Sequence, residues 1–527
     1  MPTPTVLAAL ALAVGVAGAD AQAPSPGDWM IRHLSAEPGT LNPITGTDAY
    51  EARINESVYE TLLDRDPATQ ELIPELAERW EISEDKLVYT FHLRRGVKWH
   101  DGAPFTADDV LFSYERIQDP KVNAPQLRVY FLDVERLEKL DDYAVRFHYK
   151  QPYFKGLEVC GGLPIVPKHV FEKGDFNRNP AGRAPVGTGP YRFLKWETGK
   201  QIVLERNPEH WGKPAWLDRI VYRIITEPWA SLQVFKKRRL DLIGLTPTQW
   251  KYQTESPRFA EMFRKVSFYQ PYFNYVGWNQ RRPFFADRRV RRAMTMLVDR
   301  EKILDKVLYG LGKVITGPFY VNSPQYDPAI PPVPYDPAGA AALLDEAGWT
   351  DHDGDGLRDK DGVPFRFNYL VSAGSTLGEQ LGTILKEQLS KLGVEVTIQK
   401  LEWAVFLQKI DERNFDATSL GWSMGLDSDP YQIWHSSQGE KGSNFIGFRS
   451  EEADRIIEAA RKEFDADKRN AMYKKFHALI AEEQPYTFLF CTAALAAFDR
   501  RFEGVVEYPL GLQPDEWWVP AGERLYP

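Results

Sequence analysis

Residues 77–110 read AERWEISEDKLVYTFHLRRGVKWHDGAPFTADDV, and this stretch decides the fold. Leu87, Tyr89, Phe91 and Leu93 alternate with polar residues, the two-residue period of a strand with one buried face. His100-Asp101-Gly102 then supplies turn chemistry. Thr106 stands where a helix N-cap belongs, and Asp109, three residues on, completes a capping box ahead of a helical body from Val110 to Ile117. The segment is therefore read as a β-hairpin, a tight turn and a capped helix. His100 and Asp101 have no neighbouring third group to orient the imidazole, so the pair is assigned to structure and not to acid–base catalysis.

Outward from this segment, strands and helices alternate. MIRHLSA is a first strand, and EPGTLNPITGTD after it has the Pro, Gly and Asn punctuation of a loop. Residues 127–150 form two strands about a turn at Asp141-Asp142, and AGRAPVGTGPYRF at 181–193 runs from a Gly/Pro-rich passage into another. Val290, Ala293, Met294, Leu297 and Val298 predict one amphipathic helix over 286–300. Asp336, Pro337 and Gly348 bracket a second helix. A leucine-rich helix from Leu377 stops at Gly393, and the strand Val394, Val396, Ile398 follows. Two further helices span 451–464 and 466–483. This order predicts α/β lobes with parallel or mixed sheets.

A chain of 527 residues is too long for one ordinary core and predicts at least two lobes. Its formal net charge is −9, with both signs interspersed, which excludes the concentrated basic face of a nucleic-acid binder. The run Arg288, Arg289, Arg291, Arg292 lies on the amphipathic helix and reads as a solvated face. Val6–Ala17 is apolar but too short to span a bilayer. Ala19-Asp20-Ala21 after it has the A-x-A cleavage pattern, so residues 1–21 are expected to be a secretory signal peptide, although no Lys or Arg precedes the apolar run. No cysteine lies near the cleavage site, so no lipid anchor is expected. Cys160 and Cys491 carry no framework signal, and both a disulfide and two buried thiols stay open. No H-E-x-x-H, paired-Cys or Walker A pattern occurs, so neither a zinc centre nor any other cofactor is expected.

The 77–110 composite resembles the signature of the family 5 extracellular solute-binding proteins, which include the oligopeptide-, dipeptide- and nickel-binding receptors of ABC importers. The resemblance continues through Gly187-Thr188-Gly189-Pro190-Tyr191, Asn207 to Trp211-Gly212, Trp278-Asn279, Asp287 to Ala293, Tyr335-Asp336-Pro337 and Ala347-Gly348-Trp349. It implies the type II periplasmic-binding fold, two α/β lobes with a hinge and an extra subdomain in the N-terminal lobe. Mapped onto this chain, the N-terminal lobe takes 24–55, 186–278 and 490–527, the inserted subdomain 56–185 and the second lobe 279–489. The hinge is expected near Tyr275–Trp278 and Phe488–Phe490. The implied function is capture of a peptide between the lobes in the periplasm, by a monomer that delivers it to a membrane permease powered by a separate ATPase. An oligosaccharide or a nickel chelate is the alternative ligand.

Six residues are expected at the ligand. Glu37 belongs to a loop that resembles the family's first ligand-facing loop. Gly421, Trp422 and Ser423 form the pair-and-loop that lines the cleft in the resembling receptors. There an acidic residue three places after the Trp pairs with the peptide amino terminus. Here that position is Gly425, so Asp427 is assigned the role, with Asp429 as an alternative. Turn and N-cap chemistry is the other reading open for both. Two other motifs compete. Gly421-Trp422-Ser423-Met424-Gly425 fits the G-x-S-x-G elbow of a serine hydrolase, but Asp427-Ser428-Asp429-Pro430 gives a turn where the elbow needs a helix. Asp351-His352-Asp353-Gly354-Asp355-Gly356 opens like an EF-hand loop, yet position twelve is Gly362 and not the bidentate Glu calcium needs, so a polar hairpin turn is expected.

Overall fold

The computed structural model describes residues 23–526, so the signal-peptide assignment at 1–21 lies outside the described residues. Three sheets organise the chain. The largest runs in the order Phe263–Tyr269, Phe490–Asp499, Leu242–Gly244, Trp29–Leu34, Arg219–Ile224, Gln201–Arg206, Tyr191–Glu197, with Gly312–Val314 paired to Phe490–Asp499. The second runs Glu395–Leu401, Arg366–Ser372, Ala417–Ser423, Tyr272–Trp278, Tyr486–Phe488. Both mix parallel and antiparallel pairs, for example Trp29–Leu34 parallel to Arg219–Ile224 and antiparallel Tyr272–Trp278 against Ala417–Ser423. A third, four-stranded antiparallel sheet holds Ala77–Ile82, Val88–Leu93, Ala144–Tyr149 and Val134–Asp141. No helix among the described residues is long and apolar enough to cross a membrane.

The opening stretch folds as its pattern dictates. Tyr89, Phe91 and Leu93 are buried on one face of Val88–Leu93, and Thr106 and Asp109 exchange both bonds of a capping box at the start of Ala107–Gln118. That box satisfies two amide donors that the helix itself leaves free, a gain of about 1 kcal/mol for the cap. His100 has a structural task. The Gly187 amide donates to its Nδ1 at 3.1 Å, so the proton sits on Nε2, which donates to the Gly189 carbonyl at 2.9 Å. Burial pushes its pKa down to about 4, so the ring holds this neutral tautomer. The glycines it clamps press on the turn that follows the helix Ala49–Asn55: a Cβ at Gly187 would lie 1.8 Å from the Val58 carbonyl oxygen. The turn therefore fixes the helix that enters the cleft from the first lobe.

Two short passages link the two large sheets. The chain leaves Phe263–Tyr269 and enters Tyr272–Trp278 across Gln270-Pro271, and it leaves Tyr486–Phe488 and enters Phe490–Asp499 across Leu489. The first passage precedes the expected Tyr275–Trp278, because Pro271 has no amide to give a ladder and interrupts the strand before it. The expected helix over 286–300 is found as Arg288–Met296, and it ends short because the Asp299 side chain caps a second helix, Arg300–Lys306, at the Lys302 amide. Buried Arg501 ties the chain's ends together, pairing with Asp28 at 3.0 Å and Asp241 at 2.5 Å. Cys160 and Cys491 are both free and buried. In the acidic turn, Asp351 accepts from the Gly354 and Gly356 amides and Asp353 from the Asp355 amide, the bonding of a hairpin loop.

Candidate ligand-binding site

Between the two large sheets lies a cavity of 1580 Å³. The strand Ala417–Ser423 ends at its wall, and Gly421, Trp422 and Ser423 all line it. Gly421 is required there: a Cβ would lie 1.9 Å from the Tyr272 hydroxyl, which Asn274 holds by donating at 2.9 Å. Trp422 stands between Phe445, stacked at 5.7 Å, and Tyr275, parallel at 6.4 Å, and its Nε1 donates to the Tyr486 hydroxyl at 3.3 Å. The result is an aromatic wall whose rings hold one another in place. Ser423 is an exposed strand end. His435 bonds to Ser437 and Glu458, and His477 to Thr316 and the Asp327 amide. No histidine among the described residues bonds to Ser423, so the elbow motif has no base.

The expected acidic anchors are occupied by the protein. Asp427 accepts from Arg469 at 3.0 Å and from Gln325 Nε2 at 2.9 Å, and its side chain does not line the cavity. Asp429 reaches the cavity, but its carboxylate pairs with Arg461 at 3.1 Å and accepts from the Tyr153 hydroxyl at 2.7 Å and the Tyr431 amide at 3.0 Å. The Asp429 and Arg461 side chains are 1% and 7% exposed. Burial pulls the Arg461 pKa down, and the adjacent Asp429 charge more than offsets this, holding the guanidinium above its ordinary value. Burial, then the same carboxylate, pushes the Tyr153 hydroxyl upward, so it stays a donor. Glu37 is also engaged elsewhere. Trp196 Nε1 donates to it at 2.6 Å and the Gly199 amide at 2.9 Å, and it does not line the cavity. Its neighbours Ser35 and Ala36 do.

Two sets of contacts close the cleft. At one, Tyr50 meets Trp403 edge to face at 5.7 Å. At the other, the segment Tyr153–Lys155 grips the loop after Trp422. Besides the Tyr153 bond, the Phe154 amide donates to the Arg461 carbonyl at 3.0 Å and Lys155 Nζ to the Asp427 carbonyl at 2.7 Å. Arg461 lies over the Tyr153 ring at 4.5 Å and Arg469 over the Phe154 ring at 4.2 Å. Tyr130 adds a bond from its hydroxyl to Gln432 Oε1 at 2.7 Å. Tyr130, Tyr153, Tyr50 and Trp403 are missing from the expected site, since nothing local in the sequence marks a residue whose partner lies across a cleft.

A cavity between two mixed α/β units, linked by two short passages and clasped at its rim, defines a ligand-capturing receptor. The chain matches the bacterial extracellular solute-binding proteins, family 5 middle region, over residues 71–444, and it belongs to that family. It is 31% identical over 513 residues to the oligopeptide-binding protein AppA of Bacillus subtilis (strain 168), covering 94% of this chain and 92% of AppA. It is 29% identical over 489 residues to the di/tripeptide-binding protein 2 of Pseudomonas aeruginosa (strain UCBPP-PA14), covering 86% and 87%. The structure of AppA in complex with a nonapeptide aligns at a TM-score of 0.90 and 30% identity over 94% of this chain and 100% of AppA. The fold is therefore the type II periplasmic-binding fold. The chain is a solute-binding receptor of the ABC-importer class and not an enzyme.

Proposed function

We propose that this receptor captures oligopeptides in the interlobe cleft, in the periplasm, and delivers them to an ABC permease driven by a separate ATPase. The observation that carries the ligand class is the cavity of 1580 Å³, beyond the roughly 300–1,000 Å³ of pockets that fit one drug-sized molecule. The likeness to AppA, whose structure holds a nonapeptide, supports the same reading. The lobes are 24–55 with 186–278 and 490–527 on one side and 279–489 on the other, and 56–185 is the inserted subdomain that carries the clasp residues Tyr130 and Tyr153–Lys155. A peptide lies extended against strand ends of the second lobe, and Trp422 and Phe445 supply apolar contact. Gly421 and Ser423 border the same wall. Closure is favoured because the ligand touches both lobes only when they meet. The closed monomer then docks on the permease, and no cofactor takes part.

Titration calorimetry on the mature protein with peptide pools of defined length tests this. Binding is expected for pools longer than dipeptides. Binding of an oligosaccharide or a nickel chelate, with no response to any peptide pool, overturns it.

A further inference from the structure

Four arginines line the cleft, and three are satisfied by the protein. Arg65 pairs with Glu158 at 2.7 Å. Arg128 donates to the carbonyls of Ile117, Asp119 and Val122. Arg413 donates to those of Gly439, Asp411 and Gly442. Arg53 differs. Its guanidinium has no hydrogen-bond acceptor and no carboxylate in ion-pair range among the described residues, although it faces the cavity.

The position of Arg53 is fixed. It sits on the helix Ala49–Asn55, which is followed by the turn that Gly187–Gly189 press on, and its carbonyl accepts from the Tyr222 hydroxyl at 3.2 Å. Tyr50, one turn earlier on the same helix, makes the contact with Trp403 of the other lobe. Arg32, which lies over the Tyr222 ring at 5.2 Å, adds a second positive charge behind it. Burial, and then Arg32, push the Arg53 pKa down. Glu56, three residues on, offsets part of this charge but makes no ion pair with Arg53, and the Arg53 side chain is exposed to the cavity. A guanidinium that is held in a cleft beside a like charge, with no direct ion-pair partner, is placed to take a carboxylate from the ligand. Asp64 and Asp411 also line the cleft with no cation in ion-pair range among the described residues, so seats of both signs exist.

We propose that Arg53 is the anionic anchor of the site and receives a carboxylate of the ligand, either the C-terminus or an acidic side chain. This rests on the peptide reading. Peptide orientation is then set by the carboxylate at the first lobe and not by an ammonium at Asp427.

The test is calorimetry with three forms of one neutral-sequence oligopeptide: free C-terminus, C-terminal amide, and C-terminal amide with one internal Glu. A charge-assisted pair in the cleft is expected to favour a carboxylate form over the plain amide by about ten- to a hundredfold. Preference for the free acid alone assigns the C-terminus, and preference for the Glu-containing amide assigns a side chain. In Arg53→Gln that preference is lost while the plain amide binds within about threefold of wild type, which also shows the variant is folded. Arg53→Lys keeps part of the preference. If the wild type prefers no carboxylate form, or Arg53→Gln keeps the full preference, the anchor is wrong and the peptide reading stands. If no form binds the wild type, both fall.

Discussion

Replacing Tyr153 by Phe removes one oxygen from the clasp and nothing from the cavity wall, since Tyr153 does not line the cavity. Its hydroxyl bond to Asp429, 2.7 Å long and buried, joins the segment after the four-stranded sheet to the loop after Trp422, which we assign to the inserted subdomain and the second lobe. We infer that it forms only when the lobes are closed. A hydrogen bond to a charged group is worth about 1.5–3 kcal/mol, so its loss weakens closure by roughly ten- to a hundredfold. For a ligand-free protein that is mostly open, the apparent Kd rises by that same factor, because binding requires the closed state. The rise is the same for every peptide, long or short, charged or neutral, and it falls mainly on the off-rate. Calorimetry with several unrelated peptides measures it, and small-angle scattering follows the expanded, open population directly. Unchanged affinities, or losses that differ widely between peptides, would refute the clasp. The second outcome would place Tyr153 at the ligand.

Two further predictions concern buried and engaged carboxyls. Glu51 is 5% exposed, and burial, then the Asp48 charge, raise its pKa to about 8. Between about pH 4.5 and 8 the unfolded chain has released this proton and the folded chain keeps it, so stability falls as pH rises, by about 1.4 kcal/mol per unit and roughly 5 kcal/mol in all. Glu51→Gln retains an acceptor for the Asn55 amide, bonded at 2.7 Å, and is expected to match wild type in denaturant unfolding at pH 4 and exceed it at pH 8; an unaltered pH slope would contradict this. Asp427→Asn is expected to weaken free-amino and N-acetylated peptides equally, through its contact with Arg469; a selective loss of free-amino peptides would restore Asp427 as the ammonium seat.

What was legible in the sequence was what the backbone reads from its own neighbours. The capping box at Thr106 and Asp109, the helix stop at Gly393 and the strand period through Phe91 each depend on a few adjacent residues, and each is found. Trp422 was placed at the cleft because the Gly421-Trp422 pair and its loop resemble the family's cleft-lining loop, and Tyr272 crowding Gly421 is the physical reason the glycine stands there. The acidic residues were less legible, because a carboxylate's role is set by whatever charge reaches it in space. Arg469, 42 residues away, takes Asp427, and Trp196, 159 residues away, takes Glu37. Arg53 shows the converse: only the fold reveals that it has no hydrogen-bond or ion-pair partner for its guanidinium among the described residues. The early end of the expected 286–300 helix at Met296 is a smaller case, in which the apolar stripe continues through Leu297 and Val298 but the Asp299 cap starts a new helix.

We propose that this cleft holds oligopeptides. Native mass spectrometry of the mature protein as purified, followed by denaturing release and sequencing of what was bound, tests it most directly. A ladder of peptide masses longer than dipeptides is predicted. A released sugar or metal chelate, or an empty protein that ignores an added peptide library, would contradict the account of the ligand.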